Sequence, residues 1–348
     1  MNHSDNLESK TSKFSKSSTD INFRAQNFIK SNIQEMGARL LLNSLYTQQP
    51  ERIHCKVCKS LLAGGAWFKN FGIRYIQCFH CGHLNGEHQD TSNFANELYT
   101  DSTKSTYDTN YNSDFDLRVK QIYLPKVDFL IEGMDQGINP VRLLDFGCGA
   151  GHFLKAAQLR GIDCLGLETN VELVAIGKSH VGENSIFKSN SYQDLVKALE
   201  DFKPDVVSFI GVLEHLTDMD EVLEICKSQN VRYIYSSVPM FSLAAILQTL
   251  NESVFPRQLS GGHTHLFTEK SLAMLLGKHG YSVKADWWFG TDFTDLKRIL
   301  TLTLAGKSFN LEKIMDSILT PLADDLQGVL DRHKSTSEVH SLSELLVE

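Results

Sequence analysis

The chain has 348 residues, of which 42% are hydrophobic and 22% charged, and it carries a formal net charge of −8. That length buries a full core with room for one large domain and small additions. The acidic balance argues against nucleic acid as a partner, because phosphate binding rests on clustered Lys and Arg. No apolar run reaches the roughly 20 residues of a membrane-spanning helix, so no membrane span is expected.

In chain order, residues 1–19 are polar and rich in Ser and Lys, which predicts a disordered lead-in. They lack the apolar core of a secretory leader, which predicts a cytoplasmic protein. From Asp20, a candidate N-cap, apolar residues recur at helical spacing through Ile21, Phe28, Ile29, Ile33, Met36, Leu40 and Leu41. A helix over 20–50 follows, and its apolar face needs a cover, either the main domain or a second copy in a homodimer.

Residues 51–92 hold two Cys-x2-Cys pairs, Cys55/Cys58 and Cys78/Cys81, separated by nineteen residues. Each pair can grip one ion from a single knuckle, and four thiolates close a tetrahedral zinc site. The expectation is a zinc ribbon with structural Zn2+, since about forty residues build little core alone. His54, His80, His83 and His88 are read as supporting or surface groups. Residues 93–114 are polar and tyrosine-rich, a loop or lid carrying Tyr107 and Tyr111.

A helical pattern covers 115–132. Then "VRLLDF", "DCLGLE", "SIFKS", "DVVSFIG" and "VRYIYSSVP" alternate with helix-like segments. Five such repeats predict an α/β, Rossmann-like, doubly wound parallel sheet. After a long variable region come a helix near 268–278 and a late strand over 281–288, which close a domain at 115–290. The tail, 291–348, reads as a helical extension.

The stretch Arg142–Leu154 carries Asp145-x-Gly147-x-Gly149-x-Gly151. A dinucleotide loop needs a glycine where His152 stands, and no Gly-Lys-Ser/Thr follows for a nucleoside triphosphate. Glu168 ends the next strand about twenty residues on, where a carboxylate can accept from both ribose hydroxyls.

"LLDFGCGAGHFL" with "GLE" downstream resembles the class I methyltransferases that use S-adenosyl-L-methionine (SAM). The resemblance implies that the glycine loop lies against the amino-acid part of SAM and that Glu168 binds its ribose. Adenine would then fall near Ser189–Ser191, with Asn190 or Ser191 as its contact. The segment "GVLEHL" resembles the small-molecule branch, including O-methyltransferases of ubiquinone-biosynthesis type and sugar methyltransferases. The order of cysteine pairs, tyrosine segment and core, over about 51–290, is similar to that of deoxysugar C-methyltransferases. There the zinc module covers the active site and tyrosines contact a sugar nucleotide.

Methyl transfer is an in-line displacement, and a hydroxyl or activated carbon must also lose a proton. His215, with Glu214 beside it, stands after the fourth strand at the carboxyl edge and is the candidate general base. The alternative is that this dipeptide only opens a helix. His263 and His265, in "GGHTHLFT", sit two apart, so in extended chain both point one way and could face substrate. The expected acceptor is a small polar metabolite, a sugar or nucleotide sugar of surface-polysaccharide or secondary metabolism. An RNA methyltransferase and a non-catalytic SAM-binding scaffold are the alternatives.

Overall fold

The computed structural model describes residues 10–16, 31–99, 114–135, 141–259, 262–304 and 310–346. Eight strands form the main sheet. Across it lie β1 (Thr11–Phe14), β11 (Tyr281–Phe289), β12 (Glu338–Leu345), β9 (Tyr233–Pro239), β8 (Val206–Ile210), β5 (Arg142–Phe146), β6 (Asp163–Glu168) and β7 (Ile186–Lys188).

β5 pairs in parallel with both β6 and β8, and the sheet continues in parallel to β7 on one side and β9 on the other. Leu143, Leu144, Val206, Val207 and Phe209 are fully buried. Their near-continuous apolar runs fit a sheet covered by helices on both faces. Strand order reverses between β5 and β8, which opens a crevice at their carboxyl ends.

The tail after residue 290 departs from the expected helical extension. Helices do span Asp292–Leu304, Leu311–Leu319 and Ala323–Arg332, but the chain then enters the sheet as β12, antiparallel to both β9 and β11. The sheet therefore runs beyond residue 290, to Leu345. Hydropathy hides this strand because three of its five buried residues, His340, Ser341 and Ser343, are polar. Ser236 and Ser341 share a hydrogen bond of 2.7 Å, and His340 meets the Tyr235 hydroxyl at 2.8 Å.

The lead-in also departs from expectation. Thr11–Phe14, inside residues 1–19, lies parallel to β11 at the sheet edge, and Trp287 Nε1 donates to the Ser15 carbonyl at 3.0 Å. Within the 20–50 segment the described helix is Asn32–Tyr46. Phe115–Gly133 is helical with one π turn at Val119–Tyr123, followed by Pro125, which has no N–H to give a preceding turn.

A second, small sheet is built from the cysteine region. β2 (Trp67–Asn70), β3 (Ile73–Gln77) and β4 (Leu84–Gly86) form an antiparallel meander, and β10 (His265–Leu266) adds to β4. The β2–β3 turn holds Phe71 and Gly72 at φ 49° and 82°, as a tight hairpin turn requires. The cysteine region is thus not self-contained, because its fourth strand comes from the loop after β9. Asp90 reinforces the junction, accepting from Arg52, Lys56 and Thr264.

Candidate active site

The site is built where β5, β6 and β8 end. Gly147, Gly149 and Gly151 follow β5 with φ of 75°, 55° and 78°, a region that L side chains adopt at a cost. A Cβ on Gly147 would stand 2.6 Å from Val212 Cγ2, whereas one on Gly149 would meet nothing within 4 Å among the described residues. The loop is therefore packed tightly at Gly147 against the segment leading to His215, and open at Gly149.

Glu168 ends β6. Its Oε2 accepts from Gly149 N at 2.8 Å, and its Oε1 from Thr169 N and Asn170 N at 2.9 Å each. The carboxylate is fixed beside the open part of the loop. Asp145 is committed elsewhere, for Ser208 Oγ donates to its Oδ1 at 2.6 Å between strands. Burial, and then the charge of Glu168, push the Asp145 carboxyl up to about 7.

Ser191 caps the helix Tyr192–Phe202 in a reciprocal arrangement with Asp194. Its hydroxyl is used within the chain, so of the two expected adenine contacts only the exposed Asn190 side chain stands outside the cap. His152, the residue that breaks the dinucleotide pattern, stacks on Phe115 with centroids 4.2 Å apart.

After β8, Leu213–His215 makes one 3-10 turn. Glu214 is buried and its Oε2 has no hydrogen-bond partner among the described residues; burial pushes the carboxyl up to about 8. His215 Nε2 stands 3.9 Å from Glu214 Oε1, and the His215 and His263 ring centroids are 5.1 Å apart. Burial, with His263 nearby, holds His215 well below the usual imidazole range, and His263 is lowered to about 4 by burial and then Arg39.

His265 does not join them. It is fully buried, with Nε2 on the Glu214 carbonyl and Nδ1 on His83, each at 2.9 Å. Both ring nitrogens have protein partners, so the expectation that His265 faces substrate is corrected. Sequence alone marks His83 only as a supporting or surface group near the cysteines, since a histidine two residues after Cys81 carries no signal of a contact 182 residues away. Tyr107 and Tyr111 lie outside the described residues.

The four cysteines converge as their spacing requires. Cys55 and Cys81 Sγ are 3.6 Å apart, Cys58 and Cys78 Sγ 3.5 Å, and all four sulfurs lie within 4.8 Å of one another. The three remaining cysteines, Cys148, Cys164 and Cys226, are buried elsewhere. Among the described residues, no helix is long and apolar enough to cross a membrane.

Residues 115–285 match the model of a methyltransferase domain family. Over 94 residues, 26% of the chain, the sequence is 31% identical to a ubiquinone biosynthesis O-methyltransferase of Sinorhizobium fredii, covering 37% of that protein. A namesake from Pectobacterium carotovorum is 30% identical over 94 residues, 26% of this chain and 39% of its own length. The chain thus spans about two fifths of the curated relatives it matches. Among solved structures, a SAM-dependent methyltransferase from Archaeoglobus fulgidus superposes with a TM-score of 0.43 at 18% identity, over 68% of this chain and 99% of that one. A phosphoethanolamine N-methyltransferase of Haemonchus contortus gives 0.46 at 14% identity, over 73% of this chain and 60% of that one.

Proposed function

We propose that this chain, a SAM-dependent methyltransferase with its methyltransferase domain at 115–285, transfers the methyl group to a hydroxyl or activated carbon of a small polar metabolite. A sugar or nucleotide sugar is the acceptor class we assign. The observation that carries this reading is a junction. The open glycine loop packs through Gly147 and Val212 on the turn that bears Glu214 and His215. Donor-binding and acceptor-side residues therefore meet at one edge.

The residues fit SAM. Gly149 leaves open space above the loop, and Glu168 offers a fixed carboxylate for a ribose diol. Asn190, exposed beside the cap of the next helix, is the proposed adenine contact, while Asp145 supports β5 and β8 from within the sheet. When bound, SAM supplies a methyl on a sulfonium for in-line displacement. On the acceptor side, His215 is a neutral imidazole next to Glu214, able to hold or take the proton of the attacking group. His263 lines the same cluster. Tyr107 and Tyr111 remain proposed acceptor contacts.

The cysteine cluster is proposed to hold structural zinc. An ion about 2.3 Å from each thiolate makes tetrahedral S···S edges of about 3.8 Å, close to the 3.5 and 3.6 Å found here. The ion would brace the small sheet whose strand β10 follows His263 and carries the buried His265. The acidic balance supports a metabolite over RNA.

Calorimetric titration with SAM and its demethylated product tests the donor. Mass spectrometry over a panel of nucleotide sugars then tests the acceptor. Absence of binding to either form of the donor overturns the transfer reading, and methyl gain only on unrelated acceptors overturns the sugar assignment.

A further inference from the structure

Glu214, His215 and His263 reach one point from two separate segments, the turn after β8 and the loop before β10. A carboxylate oxygen and two imidazole nitrogens lie within 4.8 Å of one another. The two rings are tilted by 31°. Mutual packing does not account for this arrangement, because three features prepare it for a positively charged guest.

The carboxylate of Glu214 is only 5% exposed, yet its Oε2 has no hydrogen-bond partner among the described residues. An acceptor left unpaired at that depth carries its full desolvation penalty unless something satisfies it. Next, His263 Nδ1 lies 3.2 Å from the Gln258 carbonyl, which can only accept. The ring proton is therefore on Nδ1, and Nε2 keeps its lone pair. Metal-binding histidines are oriented in this way, through a main-chain carbonyl on the second nitrogen. Finally, the turn carrying Glu214 and His215 is itself held, since its Glu214 carbonyl accepts from the buried His265.

We propose that Glu214, His215 and His263 bind one divalent transition-metal cation, separate from the four-cysteine cluster. Two imidazoles and one carboxylate suit manganese, iron, cobalt or zinc better than magnesium or calcium. Three protein ligands leave coordination positions open. The use of the cation rests on the methyl-transfer reading. A hydroxyl brought to an open position is acidified, and its proton leaves to water. The oxygen lone pair forms the O–CH3 bond as the C–S bond of SAM breaks, and that electron pair stays on sulfur as a thioether. His215 then acts as a ligand, and the acceptor is a hydroxyl in preference to carbon.

The test uses the full chain, dialysed against a mild chelator, with Mn2+ alone as probe and neither SAM nor acceptor present. Electron paramagnetic resonance should count one bound Mn2+ per chain, and NMR should show broadened ring signals of His215 and His263. His263→Ala and Glu214→Gln should each weaken Mn2+ binding at least tenfold while the cysteine cluster keeps its metal, which reports that the variants are folded. Absence of Mn2+ binding to the wild-type chain overturns the proposal, as does equal affinity in His263→Ala. The wild-type count and broadening decide the matter even where a variant misfolds. Mn2+ binding without SAM binding leaves the metal site standing and removes the transfer reading; SAM binding without Mn2+ does the reverse.

Discussion

His83 Nε2 lies 2.9 Å from His265 Nδ1, joining the cysteine region to the loop after β9 inside the protein. The direction of the bond can be worked out. The Glu214 carbonyl only accepts, so His265 carries its proton on Nε2. Burial holds both rings well below the usual imidazole range, so each is neutral. His265 Nδ1 therefore accepts from His83, and His83 Nδ1 accepts from the Ser271 hydroxyl at 3.2 Å. One directed chain of hydrogen bonds runs from the helix Glu269–Lys278, through the small sheet, to the turn bearing Glu214 and His215.

His83→Leu breaks this chain and strands His265 Nδ1 in the interior. The expected loss of stability is about 1–3 kcal/mol, the cost of an unsatisfied buried polar atom. SAM affinity, set at the glycine loop, should change little, while turnover falls because the Glu214 turn loses its brace. His83→Gln keeps a donor and should recover part of the loss. Denaturant unfolding with calorimetry separates the effects; unaltered stability and turnover in His83→Leu would reduce the pair to passive packing.

Legibility in the sequence followed the range of the physical signal. The alternation of "VRLLDF" and "DCLGLE" with helical segments is local, and β5 and β6 stand where it placed them. The two cysteine pairs announce their meeting because a shared ion is the evident reason for such spacing. Local patterning could not show that β10 would join β4, or that His265 would turn inward to His83 while His263 turned to His215. The first two depend on contacts between segments about 180 residues apart, the last on residues 48 apart. β12 is hidden for a different reason: its buried residues include the polar His340, Ser341 and Ser343, of which His340 and Ser341 meet cross-strand partners.

The cysteine cluster predicts one zinc per chain by elemental analysis, released with a thiol-modifying reagent. Cys78→Ser should lose the ion and loosen the small sheet. The damage should reach the active site through β10, seen as faster hydrogen exchange at Leu84–Gly86 and at His265–Leu266 together. Purified chain without zinc, yet with four reactive thiols and normal exchange, would rule out the structural ion.

The glycine loop separates packing from binding. Gly147→Ala places a Cβ 2.6 Å from Val212 Cγ2 and keeps a left-handed φ, so it should destabilise by about 2 kcal/mol or more. Gly149→Ala meets open space and carries mainly the backbone term of about 1 kcal/mol. Its larger effect should be on SAM, whose approach the new methyl obstructs. Thermal unfolding and donor titration on the pair check the crossover, and equal SAM affinity in Gly149→Ala and wild type counts against the loop as the donor site.

Asp145 gives the ligand-free fold a pH dependence of known sign. Its folded pKa, about 7, lies above the ordinary carboxylate value of 3.8. Between those values the folded chain holds a proton that the unfolded chain releases. Stability from this group is therefore full below about pH 4 and declines as pH rises towards 7. Asp145→Asn keeps an acceptor for Ser208 and removes the titration. Unfolding free energies from pH 4 to 8 should be flatter in the variant, and parallel curves would reject the assignment.

The most severe prediction concerns β12. The strand pairs with β9 through Glu338–Glu344 on one side and with β11 through Glu338–Leu345 on the other. Stopping the chain after Lys334 leaves β9 and β11 with unpaired edges in the middle of the sheet, and strips cover from Tyr235 and Trp287. Long exposed apolar edges associate with other chains, so the truncated protein should be recovered as aggregate. A synthetic strand covering 335–348, supplied during refolding, should restore soluble protein by occupying the gap. A soluble truncated chain with wild-type SAM affinity and no response to the peptide would mean that residues 335–348 are an appendage, and that the sheet closes without them.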